Sequence, residues 1–299
     1  MFGGNVFGWT AEEATSFRLL DEFVDSGFNF IDTADVYSKW VPGNAGGESE
    51  TIIGKWLKLS GKRDKVLIAT KVGMELSPEK KGLSSAYISA AVEASLQRLQ
   101  TDYIDLYQSH KDDPDTNLEE TLEAYSKLVK AGKVRFIGAS NYSRARLSEA
   151  LHISERLGYP RYESLQPRYN LYDRQPYEAE LEPLCLQMEV GVIPYYSLAS
   201  GFLTAKYRSK EEAATAKRAA ALANYFDARG EKILSALLEV ANEYNSTAAR
   251  VALAWLQARS SITAPIVSAT STEQLHDILG STELVLSPDT VQMLNHASS

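Results

Sequence analysis

A chain of 299 residues with 44% hydrophobic content is long enough to bury one sizeable core, and its single cysteine, Cys185, rules out an internally disulfide-held scaffold. The formal net charge of −8, from 31 basic and 39 acidic side chains, excludes a global field that would gather nucleic acid or anionic lipid, so an anionic ligand needs a local basic pocket. No apolar run approaches the roughly 18–20 residues of a membrane span, no basic segment followed by an apolar stretch opens the chain, and one cysteine offers no metal-ligand spacing. The expectation is a cytoplasmic protein with no metal, no nucleic-acid partner and no membrane partner.

In chain order, the opening segment from Met1 to Trp9 is too short and too glycine-rich to read as a strand. The first helix begins near Thr10, which precedes Ala11-Glu12-Glu13 as a capping box, and Gly27 stands where that helix should end. Strands are predicted at 28–32, 65–70, 104–109, 134–139, 163–166, 191–195 and 264–268, with the β-branched and aromatic content of strands buried on both faces. Amphipathic helices lie between them. One covers 84–100, with Ala91, Leu96 and Leu99 on one face and Glu93, Gln97 and Arg98 toward water; another covers 117–131 and stops at Gly132. Cys185 falls within a helix as core packing, the segment 40–47 is a loop by composition, and 198–230 is a long excursion rich in alanine. This alternation predicts an α/β fold, a (β/α)8 TIM barrel in a single domain spanning 1–299, with its first strand missing or upstream of the first residue.

Four proton-handling side chains stand at or just beyond the ends of apolar runs: Asp32 after Phe28-Asn29-Phe30-Ile31, Tyr37 shortly beyond, Lys71 after Val66-Leu67-Ile68-Ala69-Thr70, and His110 after Ile104-Asp105-Leu106-Tyr107-Gln108-Ser109. A parallel barrel brings the carboxyl ends of its strands to one face, where the four can converge. A phenol with an ordinary pKa near 10 is a poor acid at neutral pH, and a neighbouring ammonium improves it. Tyr37 as proton donor, Lys71 as that ammonium, Asp32 holding Lys71, and His110 hydrogen-bonding a carbonyl oxygen together would protonate an oxyanion as it forms. Such a set needs a hydride source. Ser140, Asn141 and Gln166 can hydrogen-bond a carboxamide, and Tyr195 can stack on a flat heterocycle. The chain has no Gly-x-Gly-x-x-Gly fingerprint, which disfavours a Rossmann domain.

The runs Phe30-Ile31-Asp32-Thr33-Ala34-Asp35-Val36-Tyr37, Ala69-Thr70-Lys71-Val72-Gly73, Gly138-Ala139-Ser140-Asn141 and Gln166-Pro167-Arg168-Tyr169-Asn170-Leu171 resemble, in order, the motifs of the aldo-keto reductases. The bacterial and fungal branch is the nearest likeness, through Ser197-Leu198-Ala199-Ser200-Gly201-Phe202-Leu203-Thr204. The resemblance implies an NADPH-dependent carbonyl reductase acting on a small aldehyde, ketone or alcohol, with Asp32, Tyr37, Lys71 and His110 as its tetrad. It implies carboxamide contacts from Ser140, Asn141 and Gln166, stacking by Tyr195, a pyrophosphate loop containing Ser197, Leu198, Ala199, Gly201 and Lys206, and an adenosine end at Ser268, Thr270 and Gln274. Thr270 stands where many members place an arginine against the 2′-phosphate, so NAD(H) stays open beside NADP(H). Ile278 likewise replaces an adenine-contacting asparagine.

Trp9, Trp40, Tyr142 and Phe202 are candidates for an apolar substrate pocket. Two other readings stand beside the reductase. Asp35, Glu48 and Glu50 invite a glycosidase, although Glu48 more simply supports a helix N-terminus, and some barrels of the same family bind NADP(H) as regulatory or redox-sensing subunits with little turnover. His152, His276 and His296 fall on predicted helices and read as surface residues.

Overall fold

The structure, a computed structural model, describes residues 1–299. Seven strands follow one another in sequence order across one sheet: β1 (Phe2–Gly3), β2 (Phe30–Asp32), β3 (Leu67–Val72), β4 (Ile104–Ser109), β5 (Val134–Ser140), β6 (Tyr162–Gln166) and β7 (Gly191–Val192). The pairs from β1 to β6 are all parallel. The first six strands are followed by helices α1 (Glu13–Asp25), α2 (Glu48–Ser60), α3 (Ser85–Leu99), α4 (Leu118–Lys130), α5 (Arg144–Leu157) and α6 (Glu182–Gln187). This is the strand order and βα alternation of the expected (β/α)8 fold.

Local chemistry explains most of the boundaries. Ser84 and Asn117 cap α3 and α4 by accepting from the backbone N–H of Tyr87 and Glu119, and Gly132 turns the chain after α4 at φ +73. Helix α1 buries Leu19, Leu20 and Phe23, each worth about 1.5–3 kcal/mol relative to exposure. Helix α2 packs on α3 so closely that a Cβ on Gly54 would lie 2.1 Å from the Arg98 carbonyl oxygen.

The structure corrects the sequence reading in four places. A first strand is present: Phe2 pairs with Ile31 and Gly3 with Asp32, and the Phe2 ring packs 5.6 Å from Phe7 and 5.4 Å from Phe23. The glycines there allow close approach, since a Cβ on Gly4 would meet Ser49 Oγ at 2.9 Å and the Asp32 carbonyl at 3.1 Å. At the other end no strand forms over 264–268. Thr263 N donates to Val192 O at 2.8 Å and Ile266 N to Pro194 O at 2.9 Å, but Pro265 and Pro194 lack the N–H groups that a ladder needs, and β7 is only two residues long. Thr10 caps nothing, because the N–H groups of Thr10 and Ala11 both donate to Val6 O, the chain turns there, and α1 starts at Glu13. Arg98 turns inward instead of to water, donating to the buried carboxylate of Glu50 at 2.7 Å.

Residue contacts define two compact units. The first comprises Met1–Gln166, Leu184–Gly191 and Ser268–Thr272, and contains β1 to β6. The second comprises Pro167–Pro183, Val192–Val267 and Glu273–Ser299. Its helices include α7 (Lys210–Ala213), α8 (Ala219–Leu222), α9 (Ala228–Glu243) and α10 (Ala248–Gln257); α11 (Thr272–Leu279) and α12 (Pro288–Ala297) follow. Within the second unit, Trp255 is fully buried, donates to Asn295 Oδ1 at 2.9 Å and packs 5.6 Å from Tyr169. No helix is long and apolar enough to cross a membrane.

Candidate active site

The first unit places Asp32, Tyr37, Lys71 and His110 together. Asp32 ends β2, level with Ala69 of β3, and side chains two apart on a strand share a face, so Lys71 follows Ala69 on that side. The chain then leaves β2 in a turn that Thr33 N→Ala69 O (2.8 Å) and Asp35 N→Lys71 O (3.2 Å) hold against β3, which returns Tyr37 over the lysine. Lys71 Nζ has three N–H donors and three acceptors: Asp32 Oδ2 at 2.7 Å, Thr33 O at 2.8 Å and Tyr37 Oη at 3.0 Å. The Lys71 and Asp32 side chains are 0% and 2% exposed, so this pair works without water between its charges. Tyr37 Oη also lies 3.5 Å from Asp32 Oδ2, and the ammonium sits 4.7 Å from the Tyr37 ring centre.

The second carboxylate oxygen of Asp32 is held from the far side. Gln166 Nε2 donates to Oδ1 at 2.9 Å and Gln108 Nε2 at 3.4 Å, and Gln166 also donates to Gln108 Oε1 at 3.3 Å. Gln108 was absent from the sequence-derived set, and the signal for it was strand parity: it precedes His110 by two residues and pairs across with Lys71.

Burial lowers the pKa of the Lys71 ammonium, against the opposing pull of Asp32. Burial, then the charges of Lys71 and Lys111, push His110 well below the ordinary imidazole range, so it is neutral at neutral pH. Its ring meets Tyr37 edge-on at 5.9 Å, and its Nδ1 is buried with no protein partner. A neutral imidazole keeps one N–H to donate, as a bound carbonyl oxygen requires.

The three carboxylates of the glycosidase reading do not flank an opening. Glu50 is fully buried and accepts from Thr70 Oγ1 at 2.6 Å and from Arg98, while Glu48 accepts from the backbone N–H groups of Ala45 and Gly46. Asp35 is buried, and neither of its carboxylate oxygens finds a donor at hydrogen-bonding geometry. Burial, then the charge of Glu50, raises its carboxyl well above the usual carboxylate range.

Several expected cofactor residues also gather in the first unit. Ser140 Oγ donates to Gln166 O at 2.9 Å, and Asn141, held at φ +55, donates through Nδ2 to His110 O at 2.9 Å and Ser140 Oγ at 3.0 Å. Ser268 donates to Gly3 O at 2.7 Å and Asn5 Oδ1 at 2.6 Å, and Thr270 follows in the same unit. The others belong to the second unit. There Tyr195 N donates to Pro167 O at 2.9 Å and Ser197 Oγ to Pro194 O at 3.1 Å. Leu198 leads into a loop in which Ala199, Ser200, Gly201 and Ala205 have positive φ, with Lys206 following and Gln274 on α11. Ser200 Oγ is buried in that loop without a partner. Ile278 is buried on α11.

Of the pocket candidates, Trp9 and Trp40 pack on each other, and Trp40 packs on Tyr37. Tyr142 and Phe202 are packed inside instead: Tyr142 shares a hydroxyl hydrogen bond with Tyr162 at 3.2 Å, and Phe202 lies in an aromatic cluster with Tyr172, Tyr225 and Phe226. Both sit where apolar packing needs them.

A parallel sheet wound in sequence order, with lysine, carboxylate, phenol and imidazole gathered at its strand ends, defines an oxidoreductase of the aldo-keto type. The sequence pattern of the Aldo/keto reductase family matches residues 1–299, and the chain belongs to that family. It is 36% identical over 297 residues to an uncharacterized oxidoreductase, YrpG, of Bacillus subtilis, covering 97% of this chain and 88% of the relative. It is 31% identical to the Tas protein of Escherichia coli, covering 96% and 90% of the two chains. A putative aryl-alcohol dehydrogenase of Schizosaccharomyces pombe is 33% identical, covering 96% and 93%.

Proposed function

We propose that this protein is a carbonyl reductase, converting an aldehyde or ketone to the alcohol with NADPH and reversible toward secondary alcohols. The observation that carries the reading is the three-way coordination of Lys71 Nζ by Asp32, Thr33 and Tyr37, with the Lys71 and Asp32 side chains buried. When bound, the reduced nicotinamide supplies the hydride. Tyr37 supplies the proton to the carbonyl oxygen and passes toward phenolate, which the adjacent ammonium stabilises; the lysine is fixed by Asp32, and Asp32 by Gln166 and Gln108. His110, neutral and edge-on to Tyr37, hydrogen-bonds the same oxygen and orients it for proton transfer.

The residues present suit the cofactor's parts. Ser140, Asn141 and Gln166 offer the amide and hydroxyl chemistry a carboxamide needs, and the orphaned Ser200 hydroxyl with the positive-φ backbone beside it suits an anionic oxygen. By the family pattern, Tyr195 would stack, Ser197, Leu198, Ala199, Gly201 and Lys206 would hold the pyrophosphate, and Ser268, Thr270 and Gln274 the adenosine end. Thr270 offers no charge for a 2′-phosphate, so NADH should compete more closely with NADPH than where an arginine stands there.

The test is the fall in absorbance of NADPH and of NADH against a panel of aldehydes, ketones and dicarbonyls. Turnover with at least one carbonyl is expected. Tight nucleotide binding with no oxidation across the panel would favour a regulatory subunit, and product formed without any nicotinamide would favour a hydrolase.

A further inference from the structure

Ser109 immediately precedes His110, and Tyr142 immediately follows Asn141, whose Nδ2 donates to His110 O at 2.9 Å. Behind that contact four buried hydroxyls form one chain. Ser109 Oγ lies 2.9 Å from Tyr125 Oη and 2.8 Å from Tyr162 Oη, and Tyr162 Oη lies 3.2 Å from Tyr142 Oη. Phenylalanine would fill the same space at all three tyrosines with no polar atom to satisfy, so packing alone does not account for the hydroxyls. The backbone is also bent to build the chain. By strand alternation Tyr162, Ser164 and Gln166 of β6 would share one face. Instead Ile137 pairs with Tyr162 and the next residue, Gly138, with Ser164, so one residue of β6 is skipped. This bulge turns Tyr162 to the face that carries Tyr107 and Ser109, where its ring meets Tyr125 at 6.3 Å and Tyr142 at 5.5 Å, while Gln166 still reaches Asp32.

We propose that Tyr162, acting with Ser109 and Tyr142, is a positioning residue that fixes His110 relative to Asn141 and so holds the substrate carbonyl at a set distance from the nicotinamide. The inference rests on the reductase reading, in which His110 orients the carbonyl oxygen and Asn141 binds the carboxamide. The bonds close a loop. His110 joins Asn141 through the Nδ2 contact, the chain joins His110 to Ser109 and Asn141 to Tyr142, and the Tyr162 hydroxyl joins Ser109 to Tyr142. Without that last link the two strand ends are tied at one point and can pivot about it; with it they move as one piece. Burial raises the pKa of Tyr125, Tyr142 and Tyr162, so their hydroxyls stay protonated through the neutral range and the clamp itself does not titrate there.

Tyr162→Phe removes the central hydroxyl and keeps the ring, and Ser109→Ala opens the same joint from the other side, which keeps the test open should Y162F fail to fold. Each should lower kcat for aldehyde reduction roughly ten- to a hundred-fold, with a far smaller change in the NADPH dissociation constant and no change in the shape of the pH profile. The double variant should be no slower than either single one, because both cut one link. A second readout needs no turnover: carbon-13 NMR of ring-labelled histidine, with the His110 signal assigned by its loss in His110→Asn. That signal should be a single line in wild type and shift or split in both variants. If wild type reduces aldehydes and both variants match it, the clamp is overturned and the reductase stands. If wild type reduces none while the His110 line responds to both variants, the reductase reading fails and the clamp on His110 stands. A rate loss with the His110 line unmoved, a moved line with no rate loss, or a displaced pH profile, which would mark a proton relay, each overturns the clamp. No turnover together with an unmoved line overturns both.

Discussion

Replacing Lys71 by methionine removes the ammonium while keeping a flexible chain of similar length, and the structure sets the size of the effect. Lys71 is fully buried and uses all three donors at 2.7–3.0 Å, so the variant leaves the Asp32 carboxylate with Gln166, Gln108 and the long 3.5 Å contact from Tyr37 Oη, and leaves the Thr33 carbonyl without the lysine. Removing one partner of a buried ion pair typically costs about 3–5 kcal/mol, because the remaining charge stays in a medium that solvates it poorly. Urea denaturation at pH 8 of wild type, K71M, D32N and K71M/D32N provides the assay. K71M should be about 3–5 kcal/mol less stable than wild type, and adding D32N to K71M should restore about 2 kcal/mol or more. A K71M variant within about 1 kcal/mol of wild type at pH 8, or a double variant less stable than K71M, would refute the claim that this is a dry ion pair.

Two further outcomes test the surroundings of the site. Asp35 carries a raised carboxyl pKa, from burial first and Glu50 second. Between its unfolded and folded values the native state holds a proton that the unfolded chain has released, so wild type loses stability as pH rises through that window. D35N carries no such proton, and its stability relative to wild type should increase from pH 4 to pH 7.5; parallel urea curves at both values would contradict this. Gly→Ala inside a helix normally stabilises by roughly 1 kcal/mol, yet at Gly54 the added methyl would lie 2.1 Å from the Arg98 carbonyl oxygen and 2.7 Å from the Leu99 carbonyl carbon. G54A should therefore destabilise by about 1–3 kcal/mol in thermal or urea unfolding, and a gain in stability would show that α2 and α3 are not held this close.

Much of the site was legible because a parallel sheet turns sequence position into spatial position. Asp32, Lys71 and His110 each stand at or just past the end of an apolar run, and such a run ending in a charge has to open onto either solvent or a cavity. Gln108 was hidden inside its run because one inward-facing amide among apolar residues breaks no period that a short strand can display. The first strand escaped notice for a related reason: Phe2 and Gly3 are two residues, fewer than any alternation needs, and the glycines that looked like loop punctuation are contact points with Asp32 and Ser49. The segment 264–268 failed in the opposite direction. Its β-branched residues read as a strand, while the prolines at 265 and 194 remove the hydrogen bonds that would make one. Arg98 looked solvated from helix periodicity, which knows nothing of a buried Glu50 on the neighbouring helix. Tyr142 and Phe202 were placed in a pocket by type alone, and the same rings serve equally well as packing.

The central claim is that the Tyr37 phenol, beside the Lys71 ammonium, delivers the proton that completes carbonyl reduction. The most direct measurement compares Tyr37→Phe with wild type in NADPH oxidation against a reactive aldehyde, alongside NADPH binding followed by nucleotide fluorescence. Loss of the general acid should lower turnover by about 10²–10⁴-fold while the dissociation constant for NADPH changes little. Turnover within a few-fold of wild type would contradict the account, because another group would then have to protonate the oxygen.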